Sequence, residues 1–186
     1  MKFIWMLRAI RYKIFFGSFG LMSYIGKPIY ISGVKNIFFG KKVRIYPHSR
    51  IESLGGKIKI GDNVSVGQNL HLISKLNVDI GDKTTISANV FISDVDHEYK
   101  TINVHIMEQA LHSKETVIGE NCFIGYGCVI LPGTILGKQC IVGANSVVKG
   151  VFPEHCVVAG SPAKIIKRYD VNDGIWKKTD VFGNFF

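Results

Sequence analysis

Large aliphatic residues recur at every sixth position through the second half of this chain, and this spacing limits the folds that it can adopt. From residue 118 onward, consecutive hexads read IGENCF, IGYGCV, ILPGTI, LGKQCI, VGANSV and VKGVFP. The first residues of these hexads are Ile118, Ile124, Ile130, Leu136, Val142 and Val148. A strict short period of this kind indicates a β-solenoid, because every sixth side chain can then point to a common axis. The simple alternation of a β-sandwich would not keep a sixfold phase over 36 residues.

The same period extends upstream with interruptions. IGDNVS and VGQNLH follow from Ile60, IGDKTT, ISANVF and ISDVDH follow from Ile80, and fainter copies start at Phe39 and Ile45. Three hexads close a triangular coil, and successive coils pair through parallel ladders about 4.8 Å apart. We therefore predict an all-β parallel solenoid over residues 36–163.

Three breaks interrupt the period. ESLGGK follows Ile51, two extra residues separate Ile60 from Ile80, and a long excursion occupies about residues 95–117. A long excursion from so regular a scaffold is more often functional than not. His97 stands beside several acids in ISDVDHEYK, where this excursion begins, and is therefore a candidate functional residue.

Positive charge is concentrated at the start of the chain. The first 51 residues contain ten Lys or Arg and no acid, whereas the other 135 contain 13 basic and 14 acidic residues. We predict a basic, aromatic and mainly helical N-terminal segment over residues 1–35, and a basic C-terminal tail over residues 164–186. No motif that reads nucleic acid accompanies the charge, so we do not expect a nucleic-acid partner.

The N-terminal segment lacks the sequence features of an export signal and of a membrane-spanning helix. Its uncharged stretch, residues 14–26, is shorter than the roughly 20 apolar residues that a bilayer requires, and no small-x-small cleavage site follows. We expect the segment to pack on the solenoid. Contact with the anionic inner membrane surface is compatible with that packing.

The four cysteines show no CxxC spacing that would indicate a metal site. They are Cys122, Cys128, Cys140 and Cys156. We predict that they are reduced thiols in the core of a cytoplasmic protein.

Four ordered motifs resemble those of a known family. They are ISDVDHEY, MEQALHSKETVIGENCFIG, VILPGTILGKQCIVGANSVV and VVAGSPAKIIKR. Together they resemble the hexapeptide-repeat acyltransferases with a left-handed parallel β-helix. The resemblance is closest to the branch of galactoside, maltose and xenobiotic acetyltransferases and the O-acetyltransferases of bacterial surface polysaccharides. It implies acetyl transfer from acetyl-CoA to a hydroxyl, without a metal, in a homotrimer with active sites between neighbouring subunits.

The resemblance also implies that His97 is the general base. A neutral imidazole within hydrogen-bond reach can take the proton of a sugar hydroxyl as that hydroxyl attacks a thioester. An acid on the other ring nitrogen would fix the tautomer and stabilise the imidazolium. Asp94 and Asp96 are the candidates for this acid, with Glu98 less favoured.

Contacts to the acceptor and to the thioester oxygen follow from the same resemblance. The asparagine that such enzymes place near the acceptor hydroxyl corresponds to Asn69, and Asn63 or Asn77 would take its place in a shifted register. Tyr126 lies in the region expected to face the thioester. Phe123 stands in CFIG where the family usually has VWIG, so a phenylalanine replaces the tryptophan that commonly lines the site.

The donor acetyl-CoA requires a narrow slot for its pantetheine arm and cations for its phosphates. Small residues let the arm lie against the backbone, and basic residues after them face the phosphates. Lys149 replaces a threonine that is frequent in the family. The residues expected to bind acetyl-CoA are Tyr126, Gly143, Ala144, Ser146, Lys149, Ala159, Gly160, Lys164, Lys167 and Arg168.

We therefore predict a cytoplasmic O-acetyltransferase that modifies a sugar or glycan in surface polysaccharide biosynthesis. The alternatives are N-acetylation of a nucleotide-linked amino sugar and acetylation of a xenobiotic. A γ-type carbonic anhydrase would need three histidines around zinc, but His71 and His97 fall at different phases of the coil and no third ligand is evident. A purely structural solenoid would have little use for AGSPAK.

Overall fold

The computed structural model describes residues 2–186, with side chains from residue 4 onward. The chain begins with one α-helix, α1, over Lys2–Phe15. Phe16 is buried directly after it and packs against Phe19 and Phe39, with ring centroids 5.3 and 5.5 Å apart. The aromatic side chains at the end of α1 thereby close the N-terminal end of the core. Within residues 2–186, no helix has the length and apolar composition needed to cross a bilayer.

Short strands form three main sheets, A, B and C, and one separate hairpin. Sheet A contains β1 (Ser18–Phe19), β4 (Ile37–Phe39), β7 (Lys57–Ile60), β10 (Asn77–Ile80), β15 (Thr116–Ile118), β18 (Ile135–Leu136) and β21 (Val151–Phe152). Sheet B contains β2 (Tyr24–Ile25), β5 (Arg44–Ile45), β8 (Ser65–Val66), β11 (Thr85–Ile86), β16 (Phe123–Ile124), β19 (Ile141–Val142), β22 (Cys156–Gly160), β23 (Ala163–Asp170) and β24 (Ile175–Lys178). Sheet C contains β3 (Tyr30–Ser32), β6 (Arg50–Ser53), β9 (His71–Ser74), β12 (Phe91–Ser93), β17 (Val129–Ile130) and β20 (Val147–Val148). The hairpin is β13 (Val95–His97) with β14 (Leu111–Ser113), and 3-10 turns cover Val34–Asn36 and Ile106–Glu108.

Each of the first six coils contributes one strand to sheet A, one to sheet B and one to sheet C, in that order, and the last coil contributes β21 to sheet A and β22 to sheet B. In sheet A, Ile60 pairs with Ile80, Ile80 with Ile118, and Ile118 with Leu136. The first residues of the hexads that start at 118–148 are all at most 1% exposed. The aliphatic stack predicted from the sixfold period is therefore the core. The β-solenoid prediction is confirmed, with about seven turns.

The corners of the coils explain the polar and glycine positions of the hexads. Asn63, Asn121 and Gln139 each turn the chain from sheet A to sheet B with φ of 58°, 57° and 54°. Asparagine tolerates this left-handed conformation better than most residues. Gly125 is required for close stacking, because a Cβ atom there would lie 2.6 Å from the backbone nitrogen of Ala144 in the next coil.

The excursion begins where the sequence predicts, at about residue 95, but ISDVDH does not form a complete hexad of the solenoid. β12 ends at Ser93, and β13 pairs antiparallel with β14 so that His97 lies opposite Leu111. The backbone nitrogen of Lys114 donates to the carbonyl of Asp94 at 2.8 Å and closes the base of this hairpin. His97 is therefore part of the excursion, not the last position of a regular coil.

Both predicted end segments are shorter or more ordered than the sequence indicates. The helix ends at Phe15, and β1–β3 place the first coil inside the segment 1–35 that we expected to be helical. Residues 164–186 contain more than a tail, because β23 and β24 extend sheet B antiparallel to β22. Ala163 and Ile165 alternate with exposed residues along β23 and are buried, which anchors this extension.

The four cysteines are free and buried, as predicted. The thiols of Cys122 and Cys140 donate to the carbonyls of Gly137 and Pro153 at 3.2 and 3.1 Å. Burial raises the pKa of Cys128 above the ordinary value of a thiol. These side chains fill the space beneath the corners of the coils.

Candidate active site

A cavity of about 400 Å³ lies between the excursion and the outer face of sheet C. Ser93, Asp96 and His97 supply its polar side chains. Its apolar lining consists of Leu54, Ile73, Phe91, Val95, Met107 and Leu111. Mostly apolar walls with a few polar groups are typical of ligand pockets, and they strengthen polar interactions inside.

His97 is half-buried in this cavity, and its two ring nitrogens have different surroundings. Nδ1 is enclosed by protein and has no hydrogen-bond partner among the described residues. Nε2 is not enclosed in this way, so it is the ring atom that a bound hydroxyl can reach. The backbone of His97 is fixed by pairing with Leu111 and by donation of its amide to Oδ1 of Asp96 at 2.8 Å.

Asp94 is fully buried, and its carboxylate holds the turn one coil below. Oδ2 accepts hydrogen bonds from Oγ of Ser74 at 2.7 Å and from the amide of Leu76 at 2.9 Å. Oδ1 accepts from the amide of Lys75 at 2.7 Å. Neither oxygen is hydrogen-bonded to the imidazole of His97. The hydrogen bonds of Asp94 therefore stabilise this turn, and the predicted contact by which Asp94 would orient the ring of His97 is not formed.

The carboxylates of the other two acids near His97 also contact groups other than its ring. The carboxylate of Asp96 binds the backbone of His97 and not its ring. Glu98 lies near His112 and Lys100, with its oxygens 3.7 Å from Nδ1 of His112 and 3.5 Å from Nζ of Lys100. Asp96 is thus the one predicted acid that shares the cavity with His97.

Most predicted donor-binding residues meet along one edge of the solenoid. We define the B–C edge as the corners that follow the strands of sheet B, on the side leading to sheet C. In the last coils, Gly160 donates its amide to Oγ of Ser146 at 3.1 Å, and a Cβ atom at Gly143 would lie 3.1 Å from Cβ of Ala159. The predicted residues on this edge are Asn69, Tyr126, Gly143, Ala144, Ser146, Ala159 and Gly160.

A ladder of polar contacts runs along this edge. Asn69 donates from Nδ2 to Oδ1 of Asn89 at 2.7 Å, and Nδ2 of Asn89 donates to the hydroxyl of Tyr126. The carbonyl of Tyr126 accepts from the amide of Asn145 at 2.7 Å. Asn69 and Tyr126 do not line the cavity of His97. Within one chain, the predicted general base and the predicted donor slot are therefore two separate surfaces.

The remaining predicted residues divide between the B–C edge and other surfaces. Lys164 lies opposite Ala159 on β23, and Lys164 and Lys167 are exposed there. Arg168 is engaged elsewhere, because its Nη1 donates to the carbonyl of Gly183 at 3.2 Å. Lys149 lies at the corner between sheets C and A, so it does not join the B–C edge.

Phe123 lies at the start of β16 and presents an exposed side chain, with 44% of its surface accessible. It pairs in register with Thr85 and Ile141 on sheet B. Phe123 is therefore on a different sheet from the cavity of His97, and its predicted contact with the acceptor is not made within this chain's own cavity.

The sequence analysis missed a polar cluster on the outer face of sheet C. Arg50 forms an ion pair with Glu52 and lies over the ring of Tyr30, 5.5 Å from its centre. Nε2 of His71 is 3.9 Å from Oε1 of Glu52, and its ring packs edge-on against Phe91 with centroids 5.2 Å apart. Phe91 lines the cavity, so this cluster adjoins it. The sequence signal that could have indicated it is alternation. Arg50, Glu52 and His71 stand at outward positions next to the buried Ile51 and Leu72.

The zinc alternative finds no support in the side-chain arrangement. Among residues 4–186, no group of three His, Cys, Asp or Glu side chains is placed to hold a metal ion. His71 lies next to Glu52 on sheet C, whereas His97 lies on the excursion hairpin.

Comparison with known proteins identifies the family. The model described as bacterial transferase hexapeptide (six repeats) matches residues 115–150, and the hexapeptide repeat of succinyl-transferase matches residues 57–94. Over 159 residues the chain is 38% identical to the candidate lipopolysaccharide biosynthesis O-acetyl transferase WbbJ of Escherichia coli K12, with 81% of each chain covered. The chain belongs to the hexapeptide-repeat acetyltransferases.

Two solved structures resemble this acetyltransferase. Galactoside acetyltransferase in complex with coenzyme A is 26% identical, with a TM-score of 0.65, and the match covers 93% of this chain and 75% of that one. The N-acyltransferase AntD from Bacillus cereus, in complex with dTDP and 3-hydroxybutyryl-CoA, gives a TM-score of 0.77 at 21% identity, over 89% and 90% of the two chains. At that identity AntD shows a shared fold. Four further curated relatives are longer, and the acetyltransferase spans 50% to 60% of their length.

Replacing Asp94 with alanine should destabilise the acetyltransferase. The change leaves the backbone amides of Lys75 and Leu76 without their acceptor and leaves the hydroxyl of Ser74 only its longer hydrogen bond, to the carbonyl of Lys57. We expect this loss to lower the free energy of unfolding by about 3 kcal/mol. Urea unfolding measures this value. The control Asp96→Ala removes an exposed carboxylate and should change stability by only about 0.5 kcal/mol. An Asp94→Ala protein of unchanged stability that had lost its activity would instead support the orienting role.

His71 should make the stability of the acetyltransferase depend on pH. Burial lowers the pKa of His71, the nearby Arg50 lowers it further, and Glu52 opposes them. The unfolded chain, with an imidazole pKa of about 6.5, therefore takes up the proton first as the pH falls. The stability due to neutral His71 is complete above that pH and is lost as the pH falls through the lowered folded value.

The measurement compares wild type with His71→Gln in urea unfolding between neutral and acidic pH. We expect the decline in stability toward acid to be shallower in His71→Gln. Identical slopes for wild type and His71→Gln would contradict the prediction.

Proposed function

We propose that this acetyltransferase moves an acetyl group from acetyl-CoA to a sugar hydroxyl, with His97 as general base. The observation that carries the proposal is the position of His97 in a mostly apolar cavity, with Nδ1 enclosed and Nε2 accessible. The family and the enzyme class are established by the comparisons above. The donor, the acceptor and the residue roles are the proposal.

The chemistry requires two proton transfers and the replacement of a carbon–sulfur bond by a carbon–oxygen bond. Nε2 of His97 takes the proton of the acceptor hydroxyl as the oxygen attacks the thioester carbonyl. The carbon–sulfur bond then breaks, and the proton passes from the imidazolium to the CoA thiolate. A backbone amide near Tyr126 of a neighbouring subunit would stabilise the negative charge on the thioester oxygen. Asp96 contributes by holding the backbone of His97.

The B–C edge is the proposed donor site. Gly143, Ala144 and Gly160 present little side chain there, so the pantetheine arm can approach the backbone. Lys164 and Lys167 extend this surface with exposed cations for the phosphates. Galactoside acetyltransferase, a structural relative, is solved in complex with coenzyme A, which supports an acyl-CoA donor here.

A homotrimer would bring the two surfaces together. In one chain the cavity of His97 and the B–C edge are separate, so a complete site needs the edge of one subunit to face the cavity of the next. Cyclic assembly achieves this with one repeated, head-to-tail contact. Asn69, Tyr126 and Phe123 would then meet the cavity of a neighbouring subunit.

The proposed acceptor is a sugar of a surface polysaccharide or of its cytoplasmic precursor. The 38% identity to a candidate lipopolysaccharide biosynthesis O-acetyl transferase over 81% of each chain supports this class. The alternative is N-acylation of a nucleotide-linked amino sugar, which the fold of AntD, solved with dTDP, supports. The two reactions differ in the acceptor atom, oxygen or nitrogen.

Replacing His97 with alanine should abolish transfer and spare donor binding. We expect turnover to fall about 100- to 10,000-fold, because that is the usual contribution of a general base. The assay incubates isotopically labelled acetyl-CoA with a panel of glycans, amino sugars and xenobiotics, and detects products by mass spectrometry. Calorimetric titration with CoA should give the same affinity for wild type and variant.

The control for this experiment is His112→Ala, which removes an exposed histidine from the partner strand of the same hairpin. It should keep near-normal turnover. If His97→Ala keeps near-normal turnover, the mechanism is wrong. If wild type acetylates only amines, the N-acyl alternative replaces the sugar hydroxyl.

Replacing both Lys164 and Lys167 with alanine should raise KM for acetyl-CoA about tenfold, since two exposed charge contacts are lost. The turnover number should stay close to that of wild type. Lys149→Ala is the matched control, because Lys149 lies at a different corner of the solenoid, and its KM should not change. An equal rise in KM for Lys149→Ala would contradict the proposal that the B–C edge binds the phosphates. Steady-state kinetics with varied acetyl-CoA measures both.

A further inference from the structure

The helix α1 is apolar on both of its long faces. Its inner face packs on the first coil, where Ala9 and Phe16 are buried. On its outer side, Leu7, Ile10 and Ile14 follow one another at spacings of three and four residues, with 51%, 61% and 79% of their surface exposed. An apolar face of a helix is normally covered by other parts of a protein. The outer face of α1 is therefore an unpartnered apolar surface.

The first corner of the solenoid extends this surface. Leu21 and Met22 are 63% and 68% exposed. Met22 also lines a groove of about 290 Å³ together with Met6, Leu7 and Ile10. We name Leu7, Ile10, Ile14, Leu21 and Met22 the end patch. Large, contiguous apolar patches on a soluble protein usually mark an interaction site.

Cations surround the end patch. Lys13 lines the same groove, and Arg11 is exposed on α1 between Ile10 and Ile14. Lys42 lies directly beside the patch, because its amide donates to the carbonyl of Leu21 at 2.9 Å. The first 51 residues contain no acid. One carboxylate of the next coil, Asp62, accepts from the amide of Lys41 at 2.8 Å.

We propose that the end patch docks the acetyltransferase on an anionic lipid bilayer. Exposed aliphatic side chains would enter the boundary between headgroups and acyl chains, and the surrounding Lys and Arg side chains would face anionic headgroups. The charge argues against a second copy as the occupant, since a symmetric pairing of this face would place Lys13 and Arg11 against the same cations. This surface goes beyond acetyl transfer and does not depend on the acceptor.

The experiment is vesicle flotation with the full-length protein. Phosphatidylcholine vesicles are compared with vesicles that also contain phosphatidylglycerol. Wild type should float with the anionic vesicles and not with the neutral ones. Binding should weaken when salt rises from about 0.1 M to about 1 M, because the screening length falls from about 10 Å to about 3 Å.

The variant Ile10→Ser with Ile14→Ser removes two apolar side chains that are mostly exposed, so the fold should be kept. Its affinity for anionic vesicles should fall at least about tenfold. The control is Phe182→Ser with Phe186→Ser, two side chains that are 82% and 92% exposed at the other end of the chain and should not affect binding. Thermal unfolding verifies that all three proteins are folded.

Three outcomes would overturn the proposal. The first is no binding of wild type to anionic vesicles. The second is equal binding by wild type and the Ile10 and Ile14 double variant. The third is a change of oligomeric state in that variant, measured by light scattering, without a change in vesicle binding, which would make the end patch a subunit interface. Acetyl transfer in solution, measured in parallel, tests the proposed function separately.

Discussion

The stack of aliphatic side chains along the axis of the solenoid is the constraint on which the rest of the structure depends. Each hexad contributes one such residue, and parallel pairing sets the next coil directly above it. Insertions and irregular turns can therefore occur only at the corners of the coils and between strands. Departures from the period are confined to those places, and the functional candidates lie there too.

The buried carboxylate of Asp94 shows how the scaffold permits its largest departure. The chain leaves sheet C immediately after Ser93, and a break in the solenoid at that point leaves backbone amides of the coil below without strand partners. Asp94 accepts from two of them and from Ser74. A buried charge is stable only when its hydrogen bonds are satisfied, and here both oxygens are. The excursion can therefore carry His97 on its own hairpin without loosening the coils.

Much of the fold could be predicted from the sequence, because the sixfold period reports directly on the axis. Ile118, Ile124 and Ile130 are buried as the period requires. The conformation of the last residues of ISDVDH could not be predicted, since this sequence fits a hexad equally well whether its end stays in the coil or turns into a hairpin. The role of Asp94 was missed because sequence proximity to His97 does not reveal which way a carboxylate points. The antiparallel β23 and β24 do not share the sixfold period, so the repeat could not predict them.

The positions of single site residues on the coils could be predicted from the sequence, but the way these residues come together could not. The residues at the B–C edge follow from their hexad positions, which place them at the same corner of successive coils. Lys149 falls in a neighbouring hexad, at a corner one sheet further around the triangle, and so it is separated from them. The cavity depends on Phe91, Ile73 and Leu54, which stand apart in the sequence and meet only because coils stack.

The regular rise of the coils also connects the two proposals of function and location. His97 leaves the solenoid from the fourth coil, and α1 with Met22 covers the first. Three coil spacings of about 4.8 Å place the start of the excursion roughly 14 Å from that end, and the cavity extends back from there to Leu54 after the second coil. If the end patch rests on a bilayer, a sugar attached directly to a lipid headgroup would lie below the cavity. An acceptor that extends some distance from the membrane, as a growing glycan does, would reach it.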